Sequence, residues 1–125
     1  MPGARLVVLF AGLSLAVAGC GKARKDDYSV ESLTASLKDP NPDTRYQAAR
    51  ALGRLGAKAR PAVPALVEAT GDPDKTVRIG AIYGLADMGP EAVEAVPVLR
   101  QALRDRDKEI VKGATYALKQ IDRKR

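Results

Sequence analysis

The chain has 125 residues, 21 of them Lys or Arg against 15 Asp or Glu, for a formal net charge of +6. It contains no His and a single Cys, which excludes Cys/His metal sites, histidine general bases and internal disulfides, and no cofactor is expected. Trp is absent and aromatic residues are few, so the abundant Ala and Leu point to closely packed helices rather than a sheet, in one domain whose core is of modest size.

The chain begins with a short basic stretch, Met1 to Arg5, followed by the uncharged run Leu6 to Ala18. That run is shorter than the roughly 20 residues a membrane-crossing helix needs, and it has the proportions of a signal-peptide apolar core. The following residues Val17-Ala18-Gly19-Cys20 resemble the lipobox of bacterial lipoproteins. The resemblance implies cleavage after residue 19, diacylglycerol on the Cys20 thiol and acylation of the new amino terminus. Residues 1–19 are thus expected to be a lipoprotein signal peptide, and palmitate-type chains at Cys20 would hold the mature protein to a membrane, since each buried CH₂ is worth about 0.8 kcal/mol. A buried core helix with a bystander Cys and an uncleaved apolar anchor are the competing readings. Residues 20–27 comprise the lipidated Cys and the polar stretch GKARKDD, a tether whose reach is about 15 Å on a random-coil estimate. Gly21 rather than Asp after the Cys resembles the class destined for the outer membrane, where a second membrane exists.

From residue 28 onward the sequence repeats itself with a step of 33. Asp39, Asp72 and Asp105 match; so do Leu33, Leu66 and Leu99, then Ala48, Ala81 and Ala114, then Leu52, Leu85 and Leu118, and also Val30, Val63 and Val96. Three copies at this period are expected to form a solenoid, with repeats at about 30–56, 63–89 and 96–122. Each copy reads as two helices. In the second copy, Pro61 and Pro64 are expected to open a helix that Gly71-Asp72-Pro73 stops, and Asp74 caps the next one, as Asn41 and Asp107 do in the other copies. Along that second helix Val77, Ala81, Leu85 and Met88 share one face. Gly56 and Gly89 are expected to close it, whereas the last copy has Asp122 there and a basic tail.

The segments DPNPDTRYQAARALGRLG and DPDKTVRIGAIYGLADMGPEAV resemble HEAT-like repeats of the subgroup also found in phycobilisome bilin lyases. The resemblance spans about Leu33 to Ile121. It implies an all-α fold, an α-α superhelix of about three stacked helical hairpins, used chiefly as an interaction scaffold. It also implies a ladder between neighbouring units, in which Asp39, Asp72 and Asp105 of the turns meet Arg45 and Arg78 of the second helices. The third copy departs from the pattern, because Val111 stands where the Arg is expected.

With Ala81 at the centre of the buried face, Ile79 lies at about 160° and Tyr83 at about 200° around the helix. By the resemblance this outer side lines the concave surface. The period then gathers Tyr46, Ile79 and Lys112 in one row, Arg50, Tyr83 and Tyr116 in the next, and Ala86 and Lys119 one turn further. Tyrosines and cations side by side are typical of protein interfaces, which makes this stripe the candidate partner-binding face.

The reading that accommodates these features is a non-enzymatic, lipid-anchored scaffold of the bacterial cell envelope that binds a protein partner. A bilin-lyase-like or lyase-accessory role is the alternative from the enzyme class, and an export signal weighs against it. A polyanion or nucleic-acid binder is the third, disfavoured by the interspersed acidic residues. End-to-end self-association is open as well, because terminal units of a short solenoid have one neighbour instead of two.

Overall fold

The computed structural model describes residues 28–123; the apolar run Leu6 to Ala18, the lipidation candidate Cys20 and the tether Gly21 to Asp27 lie outside them. The described residues are helical throughout, with no strand among them, and none of their helices is long and apolar enough to cross a membrane. In chain order the α-helices are α1 (Val30–Ser36), α2 (Pro42–Leu55), α3 (Val63–Ala69), α4 (Lys75–Met88), α5 (Val96–Ala102) and α6 (Lys108–Asp122). Two 3-10 segments, Gly56–Ala62 and Gly89–Ala95, join α2 to α3 and α4 to α5. The short helices α1, α3 and α5 recur at the 33-residue step, as do the long helices α2, α4 and α6.

Local chemistry fixes the turns within each hairpin. Asp39 accepts the N–H of Asn41 at 2.8 Å, Asp72 that of Asp74 at 2.9 Å, and Asp105 that of Asp107 at 2.8 Å. Each of these aspartates folds the chain back on itself, and the residue two further on then caps the long helix. Asn41 accepts from Asp43 N, Asp74 from Thr76 N and Val77 N, and Asp107 from Glu109 N. Side-chain oxygens thereby satisfy N–H groups that a helix start leaves without intrahelical partners. At the other end, Gly56 and Gly89 adopt φ of 61° and 64°, a left-handed conformation that side chains disfavour, and both helices stop there. The chain then continues as 3-10 helix rather than as a plain turn. Pro61 lies inside the first such segment, and only Pro64 occupies the first turn of α3, so the short helix starts later than two flanking prolines suggest.

The long helices pack directly against one another, α2 on α4 and α4 on α6, while the short helices and the 3-10 segments form a second layer. Between the layers lies one continuous core. Leu52, Val63, Leu66, Val77, Ala81, Leu85, Leu99 and Ala114 are fully buried in it, as the repeat positions require. At the ends of the described stack the same positions are only half-buried, Val30 in the first unit and Leu118 in the last, because no further unit among the described residues covers them.

Glycines let α2 and α4 approach closely. A Cβ built on Gly84 would lie 2.5 Å from the Ala49 carbonyl oxygen, and one on Gly53 would lie 2.7 Å from the Gly84 Cα. Real Cβ atoms do not approach backbone this closely, so any side chain at either place would push α2 away from α4.

Candidate interaction surface

The long helices carry the candidate site, and its centre is the row Arg50, Tyr83 and Tyr116. The guanidinium carbon of Arg50 stands 5.9 Å from the Tyr83 ring centroid, within cation–π range. Tyr83 in turn meets Tyr116 at 5.8 Å between centroids, with the rings tilted by 38°. Three consecutive units therefore contribute one side chain each to an unbroken contact line. Arg50 also donates to the Tyr46 hydroxyl at 3.4 Å and faces Asp87 at 3.5 Å, both near the long limit for such bonds. Its Nε is buried and has no hydrogen-bond partner. Exposure rises along the row: Arg50 and Tyr83 are half-buried, and Tyr116 is 44% exposed.

The other residues of the expected stripe divide into two groups. Tyr46 is half-buried because its ring covers Gly80, where a Cβ would lie 2.5 Å from the Tyr46 Cδ1. Tyr83 likewise lies on Gly113, with a Cβ there meeting its Cε2 at 3.3 Å. These two tyrosines thus fill the space above a glycine of the following helix, and they hold the stack together as well as facing outward. Ile79 is half-buried and packs on the core, and Ala86 is buried, which removes it from the expected surface. Lys112, Tyr116 and Lys119 are exposed, and with Lys108, Val111 and Thr115 they border an open depression along α6.

The acid–base pairs between units are not a uniform ladder. Arg45 grips Asp72 at two points, Nε to Oδ2 at 2.8 Å and a terminal nitrogen to Oδ1 at 3.0 Å. Its other terminal nitrogen donates to the carbonyl oxygens of Asp39 and Pro40, tying its own turn to the next. Arg78 repeats the carbonyl bonds, to Asp72 and Pro73, but forms no ion pair with Asp105, whose carboxylate is exposed and serves its own turn. Instead Lys75 bridges to Asp107 at 2.7 Å and approaches Glu109 at 3.8 Å.

Protonation follows this geometry. Burial by itself would raise the Asp72 carboxyl, but the Arg45 hydrogen bond, the Asp74 N–H and the charges of Arg45 and Arg78 outweigh it and hold Asp72 below the usual carboxylate range. Asp107 is held below that range chiefly by the Lys75 hydrogen bond, with help from the Glu109 N–H, and the same contact raises Lys75.

Three features escaped the sequence reading: the Gly53–Gly84 approach, the seats of Tyr46 and Tyr83 on Gly80 and Gly113, and the Lys75–Asp107 pair. Gly80 and Gly113 do recur at the 33-residue step, which is the signal that a close helix contact lies there. Among the described residues no group of three acidic or cysteine side chains could hold a metal ion. Compared with known families, the chain matches the HEAT repeats family over residues 13–70 and again over 63–125. No curated protein matches it.

Proposed function

From the chain's membership of the HEAT repeat family, whose hairpin stacks serve as scaffolds for protein interaction, we propose that this protein is a non-enzymatic scaffold of a bacterial cell envelope, lipid-anchored through Cys20. Its protein partner is bound on the exposed side of the long helices. The observation that carries the binding surface is the line Arg50–Tyr83–Tyr116, in which a guanidinium held by long bonds backs an aromatic path ending on an exposed ring. Such a path offers apolar area and hydrogen bonds together, the mix that dominates interface energetics. The anchor rests on the sequence alone: the apolar run, the small residues beside Cys20, and the polar tether that would keep the domain near the lipid surface.

Tyr116 is the residue on which to test the surface, because Tyr83 also supports the stack. A photoreactive phenylalanine analogue at position 116, installed in the producing cells, is expected to crosslink one predominant protein. Tyr116→Ala is expected to abolish co-purification of that protein while the melting temperature stays within about 2 °C, as for an exposed side chain without tight packing. Absence of any specific adduct would refute the surface. Metabolic labelling with a palmitate analogue tests the anchor separately: label on the native chain and none on Cys20→Ser is the expected pattern.

A further inference from the structure

The two internal junctions share one feature, although their cations stand at different repeat positions. The long helix of one unit offers a cation near its start, and the next unit answers with a carboxylate at or just before the start of its own long helix. Arg45 takes Asp72 at the first junction, and Lys75 takes Asp107 and Glu109 at the second. The incoming helix then places small residues against the preceding one: Gly80 and Gly84 against α2, and Gly113 against Ile82 and Tyr83 of α4. On α6 the giving side of this arrangement is repeated, and among the described residues nothing lies upon it. Lys108 stands one 33-residue step after Lys75, Val111, Thr115 and Lys119 after Arg78, Ile82 and Ala86, and Lys108, Lys112 and Lys119 form no ion pair among the described residues. Along this face runs the open depression bordered by Val111, Thr115 and Tyr116; the one carboxylate on its border, Glu109, lies 3.8 Å from Lys75, and the lysines outnumber it.

We propose that the outward face of α6 is a second docking surface, separate in its contacts from the Arg50–Tyr83–Tyr116 line apart from Tyr116. It receives a helix from a partner protein that carries carboxylates at its N-cap and first turn and glycine or alanine one to two turns further along. Lys108 grips those carboxylates as Lys75 grips Asp107 and Glu109, and Lys112 and Lys119 favour further acidic residues on the partner. A second copy of this chain fits the face poorly. Its α2 does present Asp43 at the position of Glu109, but Gln47 stands where Gly80 and Gly113 stand in the internal junctions. In the internal junctions a Cβ alone at that position would lie 2.5 Å from Tyr46 at Gly80 and 3.2 Å from Ile82 at Gly113, and a glutamine is longer by three further heavy-atom bonds.

The probe is a fluorescein-labelled peptide with the sequence of residues 105–123, stapled on its solvent side so that it is helical, titrated into the full chain in detergent and read by anisotropy. Saturable binding is expected. Lys108→Glu is expected to weaken it about three- to tenfold, as reversal of a partly exposed ion pair does. Asp107→Lys together with Glu109→Lys in the peptide is expected to restore binding to the Lys108→Glu chain. Thr115→Arg, an exposed substitution away from the ion pair, is expected to block the peptide without changing the melting temperature. The proposal is overturned by an affinity that Lys108→Glu and Thr115→Arg leave unchanged, or by a loss seen with Lys75→Glu instead, which would mean that the peptide displaces α6 from α4. It is equally overturned if sedimentation shows the chain alone forming end-to-end oligomers that Lys108→Glu and Asp43→Lys each dissolve, since the face would then belong to a second copy. Tyr116 borders both surfaces, so Lys108→Glu, which lies off the Arg50–Tyr83–Tyr116 line, separates them: a crosslinked partner lost with Tyr116→Ala but kept with Lys108→Glu belongs to that line, and peptide binding lost with Lys108→Glu belongs to this face.

Discussion

The two junctions between long helices join equivalent helices of the repeat and are closed by different residues and different chemistry. Between α2 and α4, backbone approaches backbone at Gly53 and Gly84, and Arg45 binds Asp72 through two bonds with side chains only 15% and 9% exposed. Between α4 and α6, side chains do the spacing, Ile82 and Tyr83 against Gly113, and the ion pair is one short contact from Lys75 to Asp107, with Glu109 further off at 3.8 Å; the Lys75 and Asp107 side chains are 44% and 28% exposed. Two-point charge-assisted bonds out of water are stronger and more directional than a solvated point contact. The first junction therefore locks two units into one body, and the second holds α6 as a more separable element. A sequence period thus predicts that units stack; it does not predict that they stack equally tightly.

Substitution of the glycines should expose the contrast most strongly. Gly84→Ala drives a Cβ into the Ala49 carbonyl, and overpacking against backbone is expected to cost about 1–3 kcal/mol, lowering the melting temperature by on the order of 10 °C. At Gly113 the nearest atoms belong to side chains at 3.2 and 3.3 Å, which can shift, and alanine favours the helix. Gly113→Ala should therefore melt within a few degrees of the native chain in the same calorimetric scan. Equal losses at the two positions would erase the distinction between the junctions.

The aspartates of the turns give the next largest difference. Asp72→Ala removes both bonds from Arg45 together with the turn bond to Asp74, and a loss of about 2 kcal/mol in chemical denaturation is expected for charge-assisted bonds of this burial. Asp105→Ala removes only the bond to Asp107, and less than half of that loss is expected.

A smaller effect lies in acid. Because Asp72 and Asp107 are held below the usual carboxylate range in the folded chain, the unfolded chain binds protons more readily. Their contribution is complete above the ordinary carboxylate pKa of about 4 and disappears as pH falls through their lower folded values. Denaturation midpoints measured between neutral and acid pH should decline below about pH 4. Asp72→Asn should flatten that decline more than Asp107→Asn, since the Asp107 pair is open to solvent. Smallest of all, hydrogen exchange should show the amides of α6 opening ahead of those buried between α2 and α4, because α6 has one long-helix neighbour and α4 has two.

How much of this was legible in the sequence follows the range of the interactions involved. Turn and cap chemistry acts over two or three residues, so Asp39, Asp72 and Asp105, the caps Asn41, Asp74 and Asp107, and the closing glycines Gly56 and Gly89 could be assigned from position alone. The buried positions of the long helices follow from the 3.6-residue period and the three-fold recurrence. What could not be read is which side of each long helix meets the next unit. Helical angles place Tyr46, Tyr83 and Ala86 on the outward half, yet neighbouring helices approach closely enough at the glycines to bring Tyr46 and Tyr83 partly into the stack and to cover Ala86. The same distance sets which cation reaches which carboxylate, so Arg45 has Asp72 whereas Arg78 has only carbonyl oxygens. Periodicity along one chain determines the helices and the face each hides, because those depend on a residue's near neighbours. The spacing between units depends on side chains 27 to 37 residues apart meeting at a few ångströms, and only the folded stack decides that.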